Sequence, residues 1–450
     1  MGACASTARR APLSVVPSPP MQPAAAAAGG DAPARLHTCA DAPSAAAHPA
    51  DGAERGSGDK RGAERQQSCA PAAEPAATQV VDATPREASI VAQLAADGRL
   101  ADAELHARAA LAACDAALGE AHPATLASAH ELASLLVALG ATAEAELLHR
   151  RTLAGREAAL GADHADTLAS CAGLAAALRA RGELAAAEPL LRRVLGGLEA
   201  ALGAEHAEAA VAAAALGSAL HELGRFDEAE RLMRAALARL EAAVGVEHAD
   251  ALACANALAN VLSERGVPDE AEALYRRVLA EREAALGAEH IDALATLNNL
   301  AVLLAADSAR LDEADGALAR ALGGLSAQLG PAHPAVLGCV HNLAGLRRAQ
   351  RRDDEAERLF RSALDGRERA LGTGHPSTLS SCAALAAVLT DRAELGEAEA
   401  LCRRALRGKE AALGMAHPST RRAAAALAAV LRRRTGAEHE ATLLEQRAGG

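Results

Sequence analysis

Between residues 248 and 287 the apolar positions follow a helical period twice. Leu252, Ala255, Leu258 and Leu262 recur every three or four residues, and beyond Gly266 so do Ala271, Leu274, Val278 and Leu279. Residues at that spacing share one face of a helix, so the segment predicts two amphipathic helices joined by a turn. The pattern then returns along the chain. A glycine, two residues and a histidine recur at Gly119, Gly161, Gly203, Gly245, Gly287, Gly330, Gly372 and Gly414, with spacings of 42, 42, 42, 42, 43, 42 and 42. A fixed period of this size means a stacked array in which each unit buries its apolar face on its neighbours.

The polar punctuation supports the same elements. Each repeat glycine sits where a helix should stop. Pro123, Pro334, Pro376 and Pro418 follow the repeat histidine, at the first helical position where proline fits. Asp227-Glu228, Asp269-Glu270, Asp312-Glu313 and Asp354-Glu355 open the second helices, favourably placed against the helix dipole. Second helices are expected to start near Leu100, Thr142, Leu184, Phe226, Pro268, Leu311, Asp353 and Leu395. That gives eight helix pairs over residues 86–434, the first with a short opening helix near Glu87–Ala96. A further helix over Ser419–Arg434 and a short segment over Glu438–Gln446 close the array, with residues 435–450 as cap and tail. The one irregular spacing places an extra residue near Asp307–Arg310, in an inter-helix turn.

Composition sharpens this picture. The 450 residues are 51% hydrophobic but only 1% aromatic, a core of small aliphatic side chains suited to close helix packing and poor in the residues that strands favour. Residues 1–85 differ: rich in Ala, Pro, Gly and Ser and without hydrophobic period, they read as a disordered tail. Net charge is −12, which with so few aromatics argues against nucleic acid as a partner. The charge is also uneven: residues 86–330 hold 20 basic and 36 acidic side chains, residues 331–434 hold 18 and 11. The nine cysteines include no CxxC pair. Cys171, Cys254, Cys339 and Cys382 fall at similar places in their repeats and read as small buried thiols of a reducing, cytoplasmic setting. No membrane span and no signal-peptide core is expected.

These features resemble a known family. Helix pairs of 42 residues with Leu-Gly-x-x-His-Pro-x-Thr-Leu at the junction are similar to the kinesin light chain variant of the tetratricopeptide repeat. Leu297-Asn298-Asn299-Leu300-Ala301-Val302-Leu303 resembles that family's first-helix phrase, and Glu397-Ala398-Glu399-Ala400-Leu401-Cys402-Arg403-Arg404-Ala405-Leu406 its second. The resemblance implies an all-α fold, a right-handed solenoid of helix pairs whose first helices line a concave groove for partner peptides. It departs from the family at its start: residues 1–85 hold no heptads and many prolines, so no coiled coil and no kinesin heavy chain partner is expected.

Within that frame the five asparagines carry the most information. Asn256, Asn260, Asn298, Asn299 and Asn342 all fall on first helices of three consecutive units, with His341 in register with Asn256 and Asn298. A carboxamide offers donor and acceptor together and so can pair with any extended backbone. The resemblance implies that asparagines of this phrase belong to the peptide groove. Arg347, Arg348 and Arg351 lie beyond them as candidate contacts for an acidic ligand, with Arg421, Arg422 and Arg432 to Arg434 further on. The eight periodic histidines, one per unit, are too far apart to converge on a metal and read as capping residues. Tyr275 and Phe360 share a core column with Leu191, Met233 and Leu318. Met1-Gly2-Ala3-Cys4-Ala5-Ser6 fits an acylation signal, with Gly2 for myristate and Cys4 for palmitate. No phosphate loop, nucleophile elbow or zincin motif is present, so no enzyme activity and no cofactor is expected. The leading expectation is a non-catalytic adaptor or scaffold that binds short peptides, with acidic ones as the candidate ligands. The alternative is a membrane-tethered scaffold unrelated to motors.

Overall fold

The computed structural model describes residues 86–94, 99–434 and 437–449. Gly2 and Cys4 lie outside the described residues, as does the rest of the expected tail. All regular structure among the described residues is helical. Helix α1 covers residues 86–94. The first helices of the pairs are α3 (Pro123–Ala138), α5 (Ala165–Ala180), α7 (Ala207–Glu222), α9 (Ala249–Glu264), α11 (Ile291–Leu304), α13 (Pro334–Ala349), α15 (Pro376–Asp391) and α17 (Pro418–Arg433). The second helices are α2 (Leu100–Leu118), α4 (Thr142–Leu160), α6 (Leu184–Leu202), α8 (Phe226–Val244), α10 (Pro268–Leu286), α12 (Leu311–Leu329), α14 (Asp353–Leu371), α16 (Leu395–Leu413) and α18 (Glu438–Gly449). The expected starts of the second helices all hold, and the extra residue forms a 3-10 turn at Ser308–Arg310.

The described residues fall into two units, 86–128 and 129–449. In the smaller, α2 buries Ala103, Ala107, Leu111 and Cys114. In the larger, each helix from α4 to α17 packs on the next, and first helices also meet their counterparts, α7 on α9, α9 on α11, α11 on α13, α13 on α15 and α15 on α17. Counterparts approach on the inside of a curve, so the first helices form the concave side there.

The junction histidines build this geometry. Each second helix from α2 to α16 ends on a glycine in the left-handed region, such as Gly245 at φ 95°, which a side chain would strain. Three residues later the histidine caps the next helix: Nδ1 of His164, His248, His290 and His375 accepts the backbone N–H two residues on, at 3.1–3.2 Å. An accepting Nδ1 fixes the neutral ring with its proton on Nε2.

Two sets of charged contacts join the repeats. On the outer side, arginines of second helices reach forward to the next pair, Arg234 to Glu270 at 2.6 Å and Arg361 to Glu397 at 2.5 Å. Others reach back, Arg277 to Glu241 at 2.8 Å and Arg404 to Glu368 at 2.5 Å. Exposed pairs contribute about 0–1 kcal/mol each, so their main effect is on register.

Inside, a second column alternates chemistry. Arg156, Arg282 and Arg367 each donate through Nη1 to a hydroxyl fourteen residues on, Ser170 at 2.9 Å, Thr296 at 2.7 Å and Ser381 at 2.8 Å. The same nitrogens also bond the carbonyls of Asp166, Asp292 and Ser377. Where the column holds leucine, the residue fourteen on is apolar: Leu198 with Ala212, Leu240 with Cys254, Leu325 with Cys339. Burial pulls the Arg367 guanidinium down to about 10, with no carboxylate bonded to it among the described residues. Lys409, donating to Ser419 at 2.8 Å, is pulled down to about 8 by burial, with Arg422 adding to the effect. The six described cysteines are free and buried.

Two measurements follow from this packing. Replacing Arg367 by Leu alone removes the guanidinium bonds to the Ser381 hydroxyl and the Ser377 carbonyl, leaves that hydroxyl only its longer contacts to His341 Nδ1 and the Ser377 carbonyl, and should cost about 1–3 kcal/mol. The pair Arg367→Leu/Ser381→Cys restores the Leu–Cys arrangement found at residues 240 and 325 and should recover most of that loss. Urea unfolding of the four forms of the cycle checks it.

Buried histidines set the acid response. Burial lowers His130 to about 3 and His149 and His221 to about 4, and holds His341 well below 6.5. Below about pH 6.5 the unfolded chain takes up protons that these rings refuse. Stability is therefore complete above that pH and falls as pH drops toward 4, by about 1.4 kcal/mol per unit for each ring. The urea midpoint should be flat from pH 7 to 8 and decline steadily from 6.5 to 4.5.

Candidate functional site

Helices α9, α11 and α13 bring the asparagines together. Asn342 Nδ2 donates to Asn298 Oδ1 at 3.0 Å, Asn298 Nδ2 to Asn299 Oδ1 at 3.2 Å, and Asn299 Nδ2 to Asn260 Oδ1 at 3.3 Å. Tyr275 of α10 donates its hydroxyl to the same Asn260 oxygen at 2.5 Å. The result is a chain of carboxamides running across three repeats, with Tyr275 at one end. Such chains polarise along their length, and the low dielectric strengthens each bond.

Burial divides the candidates into two rows. Asn260, Asn298, His341 and Asn342 are only 4–5% exposed. Asn256 and Asn299 are half-buried. The buried row serves the array itself: His341 packs edge-on against Phe360 with ring centroids 5.1 Å apart, and its Nδ1 lies 3.3 Å from the Ser381 hydroxyl. The Asn256 Oδ1 atom is itself buried and has no hydrogen-bond partner among the described residues. Asn299 gives one N–H to Asn260 and takes one from Asn298, which leaves it a second N–H.

The arginines are spent differently. Arg347 pairs with Asp315 at 2.8 Å and Arg348 with Asp391 at 2.9 Å. Arg351 makes no ion pair among the described residues and occupies the turn after α13 with φ 63°. Arg422 lies 3.5 Å from Glu264, and Arg432 pairs with Glu445 at 2.5 Å.

Much of the partly exposed face of the first helices is smooth. Ala214, Ala257, Ala295, Val302 and Ala384 lie along it, all partly exposed. Alanine is common everywhere in the chain, so composition does not single these residues out; their helical register with Asn256 and Asn299 does. Among the described residues no group of three His, Cys, Asp or Glu side chains could hold a metal ion, and no helix is long and apolar enough to cross a membrane.

Comparison with known proteins bears on the fold. Tetratricopeptide repeat profiles match residues 125–166 and 251–292 in one form and 165–242 and 335–411 in another. A crystal structure of a Podosopora anserina putative kinesin light chain with nearly identical TPR-like repeats is 30% identical, covering 46% of this chain and 97% of that one, with a TM-score of 0.38. BtubC (BKLC) from P. vanneervenii is 22% identical over 51% of this chain and 90% of its own, with a TM-score of 0.39. A Rap protein complexed with Competence and Sporulation Factor is 11% identical, covers 82% of this chain and 100% of that one, and gives a TM-score of 0.53, a likeness of fold alone. No curated protein sequence matches. With the repeat profiles together spanning more than half of its length, this chain belongs to the tetratricopeptide repeat proteins.

Proposed function

We propose that the chain works by recognition, as a scaffold that holds partner polypeptides against the concave side of its first helices. Tetratricopeptide arrays are typically non-catalytic interaction modules, and a protein-binding scaffold agrees with this fold. The observation that carries the finer reading is the division of the carboxamides. Asn299 keeps a second N–H at a half-buried position and is braced by Asn260 and Asn298, with Asn342 behind them, while Asn256 stands half-buried on the same side with its Oδ1 turned inward. An extended peptide needs donors and acceptors for its backbone, and small side chains let that backbone come close. Arg351, with no internal ion pair, is the cation of the three best placed to favour an acidic residue in the ligand.

A displayed library of short peptides, selected on the intact protein, tests this reading. Selection should enrich a shared motif carrying Asp or Glu. The variant Asn256→Ala/Asn299→Ala should bind the enriched peptides at least about tenfold more weakly, the equivalent of ~1.4 kcal/mol, with helical content unchanged and a urea midpoint lowered only by the loss of the Asn299 bonds to Asn298 and Asn260. No enrichment, or equal binding by the variant, removes the groove assignment.

A further inference from the structure

The junction histidines do two jobs in the last repeats, and the second has no counterpart in a simple stack. His375, at the start of α15, accepts the Ser377 N–H on Nδ1 and meets the Ala180 carbonyl with Nε2 at 3.2 Å. His417, at the start of α17, accepts the Ser419 N–H and meets the Glu222 carbonyl at 2.9 Å. Both contacts join residues 195 apart, five helix pairs along the array. The tautomer that the cap demands, with the proton on Nε2, is the one that donates to a carbonyl.

The prolines complete the fit. A Cβ built on Gly182 would stand 2.6 Å from the Pro376 Cδ, and one on Gly224 2.5 Å from the Pro418 Cδ. These two turn glycines also have φ of 80° and 74°. Glycine is thus required twice over, by its backbone and by the ring seated on it. Gly140 and Gly266 occupy the same turn position in their own repeats and have open space around them. The Arg422–Glu264 pair, at 3.5 Å, extends the seam by one further repeat.

We propose that these contacts form a clasp that locks residues 129–449 into a closed superhelical turn. A solenoid whose units touch only their neighbours can extend or unwind a little at every interface. Here the His375–Pro376 and His417–Pro418 corners seat on the turns after α5 and α7 and fix the summed curvature of all the repeats between them. The clasp therefore holds the width of the concave side constant, and releasing it opens the coil without unfolding any helix. This inference stands on the long-range contacts alone and does not depend on what binds the inner face.

Asparagine separates the two jobs of the histidines. Its side-chain oxygen caps a helix well but its short amide cannot reach across to the next coil. Dyes attached through unnatural amino acids at Glu183 and Thr373 in the full chain report the seam by energy transfer. In His375→Asn/His417→Asn the transfer should fall and the small-angle scattering radius should grow, with helical content unchanged. The control His206→Asn/His248→Asn, which alters two caps with no such long-range bond, should change neither. Pro376→Ala/Pro418→Ala, which removes the seated rings, should shift the transfer in the same direction. Unchanged transfer in both seam variants, or an equal shift in the control, would overturn the proposal.

Discussion

Everything in this array hangs on the corner between one helix pair and the next. A left-handed glycine ends the second helix, and an imidazole nitrogen starts the first helix of the following pair by accepting a backbone N–H. The bond is modest in energy, yet it recurs at each junction and fixes the direction in which the next helix leaves. Repeated at nearly constant spacing, a fixed exit angle becomes a fixed curvature. The concave side, the contact between first helices and the meeting of successive coils are all consequences of that accumulated angle.

The contacts between repeats then hold the register that the corners set. Arginines on the second helices clip forward and backward across the outer side. The interior column accepts either a guanidinium with a hydroxyl or a leucine with an apolar partner. The two solutions fill similar space, and each leaves no polar atom of the pair stranded. Their alternation explains how charged residues are tolerated so deep in a core of alanine and leucine.

A scaffold reading follows from what the concave side offers. It presents small side chains and the partly available carboxamide of Asn299, held by a buried row of hydrogen-bonded partners. Recognition by such a face depends on the curvature staying constant, because hydrogen bonds to an extended strand fail when their spacing drifts. Long-range fastening and inner-face recognition are therefore physically compatible, though each stands on its own observations.

The chain's own order of residues determined the helices, their pairing and their period. Gly-x-x-His, the acidic openings of the second helices and the apolar spacing are local signals, acting within a few residues of where they are written. The same locality made the capping histidines and the core column of Tyr275 and Phe360 legible. Only the tertiary structure separated Asn256 and Asn299 from Asn260, Asn298 and Asn342, because helical register brings all five to neighbouring repeats but burial depends on which side chain the next helix covers. It likewise showed that Arg347 and Arg348 are spent on Asp315 and Asp391. The seating of His375 and His417 on turns 195 residues away was beyond any local pattern. Small rotations at each corner add up over five helix pairs, and the place where a coil meets itself is a property of that sum.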